Sequence, residues 1–149
     1  MSGGGPYLNG AVLCERVLQE VDGVISLIRI FDRWQIASVG TGPEPSEIPR
    51  SPAVFSLFVS FRSGSARGRE TLLIRVERPD GTTRDMVTLP LLFEGEERGA
   101  NAVVQLTVTF EMEGLYWFAI VLDGREVTRI PLRVLVLHQQ AQPLQNRGL

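Results

Sequence analysis

The chain has 149 residues, a length typical of one domain whose core needs no disulfide or metal to hold it together. Its net charge is −2, and 15 basic residues are scattered among 17 acidic ones, so nucleic acid and anionic membranes are not expected partners. The single Cys excludes an internal disulfide framework, and the lack of Lys excludes chemistry that requires a lysine amine.

From residue 7 to residue 137 the chain consists of short apolar runs separated by Gly, Pro and Asp turn signals. This spacing predicts an all-β domain, with eight candidate strands. Residues 1–6 and 138–149 lack periodic apolar positions and are predicted to be disordered tails. The sequence shows neither a secretion signal nor an apolar run long enough to span a membrane, so we expect a cytoplasmic location and no membrane partner.

The first candidate strand covers residues 11–18. A helix is the alternative there, because Leu13, Val17 and Val21 also fit a helical stripe and the residues between them are good helix formers. We favour the strand.

The second candidate strand covers residues 24–31 and follows the hairpin turn signal Asp22-Gly23. It is rich in β-branched residues and mostly apolar on both faces, which is typical of a central strand. The pattern allows it to continue through Trp34 and Ile36.

A long surface connection is predicted at residues 38–52, because the four Pro in this segment cannot join a central ladder. Trp34 lies just before it and could serve, with this connection, as a platform for a sugar ring. Arg67 and Arg69, in the Gly-rich link at residues 63–70, could hold an anion. These three residues are the candidate ligand site. The other interpretation is that Trp34 packs in the core and the link is a flexible turn.

Half-buried strands with alternating polarity are predicted at residues 55–61, 72–76 and 104–110, and a further strand is predicted at residues 83–89, between the last two of them. The turn Pro79-Asp80-Gly81 joins the strands at 72–76 and 83–89 into a hairpin. The acidic residues at 94–97 could collect a calcium ion, but their spacing matches no known calcium loop, so a solvated loop is the better interpretation.

The strand predicted at residues 115–122 is apolar on both faces. Because a sandwich strand normally shows water one face, its second apolar face needs a cover, either from the chain itself or from a partner. Pro131 indicates that the following strand is an edge or carries a bulge, so a protein partner or a second copy could bind here. The predicted interface consists of Leu115, Trp117, Val121, Arg129 and Arg133.

Catalysis would depend on very few groups. Cys14 and His138 are the only residues of their types, so a nucleophilic pair is the main enzymatic hypothesis, and a small core residue is the better interpretation of Cys14. One His and one Cys are too few for a zinc site. Glu111 and Glu113 could form an acid–base pair, but nothing else in the sequence indicates a glycosidase cleft. We therefore expect no cofactor, no metal and no enzymatic activity.

Gly114 and Tyr116 precede an apolar strand in a way that is similar to the tyrosine corner of immunoglobulin-like domains, where a Tyr hydroxyl binds nearby backbone. The whole chain from about residue 7 to 137 resembles small uncharacterised bacterial proteins of the immunoglobulin-like sandwich type, a domain of unknown function. The segments that carry the resemblance are Leu13-Cys14-Glu15, Asp22-Gly23, Pro79-Asp80-Gly81, Gly114-Leu115-Tyr116, Asp123-Gly124-Arg125-Glu126 and Ile130-Pro131-Leu132. The resemblance implies an immunoglobulin-like antiparallel β-sandwich of seven or eight strands in a bacterial cytoplasm, and it transfers no site residue.

The sequence therefore predicts a non-catalytic module for protein interaction or assembly. A module that binds a carbohydrate or another small ligand is the alternative. Both hypotheses use exposed surface rather than a reacting group, and they differ in which surface they use. The fold alone does not decide between them, because sandwiches of this kind carry many unrelated functions.

Overall fold

The computed structural model describes residues 4–40 and 52–140, with the backbone alone at 38–40 and 138–140. This part of the chain contains nine strands and no helix, so the all-β prediction is confirmed and residues 11–18 are a strand. The strands are β1 (Tyr7–Gln19), β2 (Ile25–Ile30), β3 (Arg33–Gly40), β4 (Pro52–Arg62), β5 (Arg67–Glu77), β6 (Thr83–Glu94), β7 (Gly99–Thr109), β8 (Gly114–Leu122) and β9 (Arg125–Gln140). Strand β9 continues three residues past the predicted domain end at 137.

The strands form two sheets that share one core. One sheet has the order β2-β1-β4-β7 and the other has the order β3-β9-β8-β5-β6. The architecture is the immunoglobulin-like sandwich that the sequence predicted, with two differences. It has nine strands rather than seven or eight, and β3 pairs with β9 in parallel, whereas the other pairs are antiparallel.

The additional strand arises because the chain changes sheets where one continuous strand was expected. The amide of Phe31 still donates to the carbonyl of Leu13 in the first sheet (3.1 Å). The carbonyl of Asp32 already accepts a hydrogen bond from the amide of Arg133 in the second sheet (3.2 Å). Trp34 and Ile36 therefore belong to β3 and not to an extension of β2.

The predicted Pro-rich connection is shorter at both ends than expected. Residues 38–40 belong to β3, and Pro52 begins β4. The rest of the connection, at 41–51, lies outside the described residues, as do residues 1–3 and 141–149 of the predicted tails. The described residues include no helix long and apolar enough to cross a membrane.

An aromatic cluster closes one end of the core. Phe55 lies at its centre, with ring centroids 5.4 Å from those of Phe31 and Trp34 and 6.0 Å from that of Phe118. Phe110 stacks against Phe55 at 6.4 Å. Because Phe31 and Trp34 flank the change of sheets, the same rings that fill the core also fix the path of the chain between the sheets.

The predicted tyrosine corner is present. The hydroxyl of Tyr116 donates to the carbonyl of Met112 at 2.8 Å, and the side chain is 2% exposed. Burial raises the pKa of Tyr116. Gly114 has φ +133°, and a Cβ atom there would lie 2.8 Å from the Pro79 ring, so only Gly fits this position.

We expect Tyr116→Phe to lower the free energy of unfolding by about 1 kcal/mol, because it removes a buried hydrogen bond and leaves a carbonyl without its donor. Urea denaturation measures the change. Tyr7→Phe is the matched control, since Tyr7 is 48% exposed and should change stability very little. Equal effects of the two substitutions would show that the corner does not stabilise the fold.

Candidate functional site

The main candidate surface is a hairpin that extends beyond the sandwich. Strand β1 pairs with β4 only as far as Cys14↔Ser56, and from Arg16 to Gln19 it pairs with β2 alone. Strand β2 has no other hydrogen-bonded neighbour among the described residues. We call residues 15–30, which comprise the end of β1, the turn and β2, the hairpin arm.

The hairpin arm exposes apolar side chains on both of its faces. None of its residues is buried, and none packs against the core, although Leu13 just before it and Phe31 just after it do. Val21 is fully exposed, and Val24 and Ile30 are 60% and 61% exposed. The apolar residues of the arm are Val17, Leu18, Val21, Val24, Ile25, Leu27, Ile28 and Ile30.

Sequence reasoning missed this surface, because a run that is apolar on both faces also fits a central strand. The available signal was the turn Asp22-Gly23, which makes residues 11–31 a single local hairpin. That signal gives the pairing of β1 with β2. It does not show that the pairing of β1 with β4 ends before the hairpin does.

Local bonds hold the hairpin arm in a defined shape. At the tip, the amide of Gly23 donates to the Glu20 carbonyl (2.9 Å) and the amide of Val24 donates to Oδ1 of Asp22 (3.0 Å). At the base, Arg29 and Glu15 form an ion pair of 2.7 Å across the two strands. These bonds and the ladder between β1 and β2 define the shape in which the arm presents its apolar side chains.

An open cleft of about 660 Å³ lies at the base of the hairpin arm. Its lining includes the apolar residues Phe31, Trp34 and Val54 and the cations Arg29 and Arg33. The remaining lining residues are Glu15, Ile30 and Gln35. A cleft of this composition can receive an apolar group that carries negative charge beside it.

The predicted interface residues lie on the outer face of the second sheet, on and beside β8. Val121 is only 6% exposed, which leaves it no free surface to offer a partner, whereas Leu115 and Trp117 are half-buried. Arg129 and Arg133 are exposed on the neighbouring strand β9, where they lie opposite Ala119 and Leu115. As an interface, the set stays a prediction.

Charged side chains of the chain itself cover much of this outer face. The guanidinium of Arg129 lies over the Trp117 ring, 5.6 Å from its centroid. Glu126 and Glu77 hold that guanidinium from two sides, at 3.1 Å and 3.6 Å. Long Arg side chains can cover apolar surface while their charged ends stay in water. The second apolar face of β8 was expected to need a cover, and at Trp117 the side chain of Arg129 provides it.

We expect Arg129→Gln to expose the Trp117 ring. In a Trp34→Phe background, where Trp117 is the only Trp, the substitution should shift the fluorescence emission to longer wavelength and increase quenching by acrylamide. Arg133→Gln on the same strand is the matched control and should change neither signal. Unchanged quenching in Arg129→Gln would mean that the guanidinium does not shield the ring.

The structure does not bring the candidate ligand residues together. Trp34 lies beside Val134 of β9, which pairs with Gly114 at one end of β8. Arg67 and Arg69 lie at the start of β5, before Leu72, which pairs with Leu122 at the opposite end of β8. Arg67 contacts Glu96 of the acidic loop at 3.7 Å, so it helps to neutralise that loop. A single site that uses all three residues is excluded by this geometry.

The groups considered for catalysis have structural roles or lie outside the described side chains. Cys14 is 0% exposed, and burial raises the pKa of its thiol. The side chain of His138 is not among those described. Glu113 accepts a hydrogen bond from the amide of Val136 (2.5 Å) and Glu111 contacts Arg78 (3.8 Å). The described residues contain no cluster of three or more potential metal ligands.

We expect Cys14 to react with iodoacetamide at neutral pH more than about tenfold slower in the folded chain than in urea, because the thiol is buried and its raised pKa depletes the thiolate. A pKa that is higher in the folded state also means that folding stability is constant below the unfolded pKa and falls as the pH rises toward the folded one. Cys14→Ala should reduce this alkaline loss. Faster alkylation of the folded chain would indicate an activated thiol instead.

The two sheet orders and the tyrosine corner define the chain as an immunoglobulin-like β-sandwich. Residues 9–135 match the model of a family of unknown function, DUF6941, and the chain belongs to that family. None of the curated proteins compared with the chain matches it.

Several solved structures are similar to the chain at low sequence identity. A β-glucosidase from Listeria innocua, in complex with isofagomine, is 9% identical with a TM-score of 0.50, over 90% of this chain and 17% of the glucosidase. An immunoglobulin-like protein from Pseudomonas aeruginosa is 13% identical with a TM-score of 0.39, over 90% of this chain and 99% of that protein. This chain therefore spans a small part of the glucosidase, and the likeness concerns the fold alone.

Proposed function

We propose that the chain is a non-catalytic interaction module that binds a protein partner, or another copy of itself, through the hairpin arm. The observation that carries the proposal is that residues 15–30 contain no buried residue although half of them are apolar. A two-stranded hairpin that is apolar on both faces gains little from standing alone in water. Contiguous exposed apolar surface of this kind is typical of protein contact sites.

The position of the hairpin arm supports the same function. The turn hydrogen bonds and the ladder with β1 give the arm a defined shape, which lowers the conformational entropy lost on binding. The rigid sandwich provides the support from which the arm extends. The outer face around Leu115 and Arg133 is a weaker candidate, because Arg129 already covers the adjoining Trp117 ring.

The proposal includes a non-enzymatic role in the bacterial cytoplasm. The buried thiol of Cys14 and the structural hydrogen bond of Glu113 argue that neither group is set up for chemistry. The compartment rests on the sequence alone: a single Cys without a disulfide partner is ordinary in a reducing environment.

Binding of a carbohydrate or another small ligand is the second candidate function. The observation in its favour is that Trp34 lines the cleft together with Arg33 and Gln35. Its weakness is that the Trp34 ring already packs against Phe31 and Phe55, both at 5.4 Å, so much of its surface serves the core. We therefore rank protein binding first.

The test is chemical cross-linking of the tagged chain in its native host, with either self-adducts or adducts to other proteins as the readout. The double variant Val24→Ser, Ile30→Ser should lose the adducts that the unaltered chain forms, because both side chains are more than half exposed and belong to the hairpin arm. Its free energy of unfolding should stay within about 1 kcal/mol of the original, since exposed positions contribute little to stability.

Val103→Ser is the matched control. Val103 is 53% exposed on β7, outside the hairpin arm, so this variant should keep every adduct. If the arm variant and the control retain the same adducts in the same amounts, the hairpin arm is not the binding surface and the proposal fails.

A further inference from the structure

Strand β2 is an unprotected edge. Sheet edges present unpaired N–H and C=O groups, and proteins usually blunt them with Pro, bulges or free charges. Strand β2 contains no Pro and pairs with β1 without a register shift, and its one irregular residue is Arg29, which has φ +57° near the base of the arm. Arg29 is also the one charged residue of β2, and its charge is paired with Glu15. The edge strand β6 of the other sheet, in contrast, contains Pro90 and a register shift.

We propose that two copies of the chain form a dimer in which β2 of one copy pairs antiparallel with β2 of the other and the tip of each hairpin arm enters the cleft of its partner. This inference rests on the proposed function and specifies its partner as a second copy. Antiparallel pairing across a two-fold axis makes the contact self-complementary and closed. It also joins the two four-stranded sheets into one continuous sheet.

The geometry of the arm brings tip and cleft together without further assumptions. The tip lies eight residues from the base, which corresponds to about 25 Å along a strand. In an antiparallel pair of equal arms, the tip of one arm necessarily lies beside the base of the other. The cleft is located at that base, where Ile30 and Phe31 form part of its lining.

Charge complementarity favours this occupant of the cleft. The tip carries Glu20 and Asp22 and no cation between residues 17 and 28. The cleft carries Arg33, whose contact with the neighbouring Asp32 is long at 3.6 Å, whereas Arg29 in the same lining is already paired with Glu15 at 2.7 Å. An acidic tip beside the Arg33 guanidinium gains attraction twice, because the two-fold axis repeats the contact.

The apolar surfaces match in the same arrangement. Val21 at the tip is fully exposed and Val24 is 60% exposed, so both side chains are free to leave water. The cleft residues Phe31, Trp34 and Val54 offer an apolar surface at the position that the tip reaches. Burial of exposed Val side chains against such a surface is favourable by the hydrophobic effect.

The experiment is sedimentation or light scattering of the purified full chain over a range of concentrations. The unaltered chain should form a dimer, and Val21→Ser with Val24→Ser should raise its dissociation constant at least about tenfold. Val103→Ser, outside the arm, should leave the dissociation constant unchanged. Higher salt should weaken the dimer, since ionic contacts at its rim are screened.

Charge exchange tests the arrangement itself. Arg33→Glu should weaken the dimer, and the combination of Arg33→Glu with Asp22→Arg should restore much of the affinity, because a two-fold contact then regains opposite charges at both ends. Arg62→Glu is the control, since Arg62 is exposed at the far end of β4 and should have no effect. A dimer that responds to neither the Val nor the Arg33 variants would overturn the inference.

Failure of this inference can be distinguished from failure of the proposed function. A chain that remains monomeric up to about 100 µM overturns the dimer. If its hairpin-arm variants still lose cross-linked adducts to another protein, the arm binds a different partner and the proposed function stands. If the chain is monomeric and the variants lose no adducts, both proposals are wrong.

Discussion

The change of sheets at residues 31–33 is the constraint on which the rest of the structure depends. Within two residues, the chain passes from a backbone bond with Leu13 in one sheet to a backbone bond with Arg133 in the other. This crossing places Phe31 and Trp34 against Phe55 and so closes one end of the core. It also ends the hairpin of β1 and β2, which extends beyond the sandwich because the pairing of β1 with β4 stops at Cys14↔Ser56.

The apolar residues on β8 and those on the hairpin arm lie in different surroundings. On β8, Trp117 is covered by Arg129, which Glu77 and Glu126 hold in place. A planar guanidinium can stack on a ring and bind carboxylates at its edges at the same time, which an ammonium group does less well. On the hairpin arm, Val24 and Ile30 stay more than half exposed. The arm is thus the surface with more to gain from a partner.

The predictions that succeeded depend on local patterns. Alternation with a period of two gave the strands around Phe55 and Leu106, and the Gly114 and Tyr116 pattern gave the tyrosine corner, because each is specified by residues close together in the chain. The predictions that needed revision depend on distant contacts. The continuation through Trp34 failed as a single strand because the partner of β3 is β9, about a hundred residues later, and no local pattern encodes that pairing.

The sequence by itself determined the fold class, the turns, the lack of a lysine and the scarcity of groups for catalysis, since composition and short-range periodicity specify each of these directly. Only the tertiary structure decided which apolar residues are covered. Val121 and Val24 are both Val in apolar strand-like segments, yet one is 6% and the other 60% exposed. The difference arises because Val121 lies on a strand that is paired on both sides, whereas Val24 lies in the hairpin arm, beyond the end of the pairing between β1 and β4. These pairings are long-range and are not set by the residues of either segment alone.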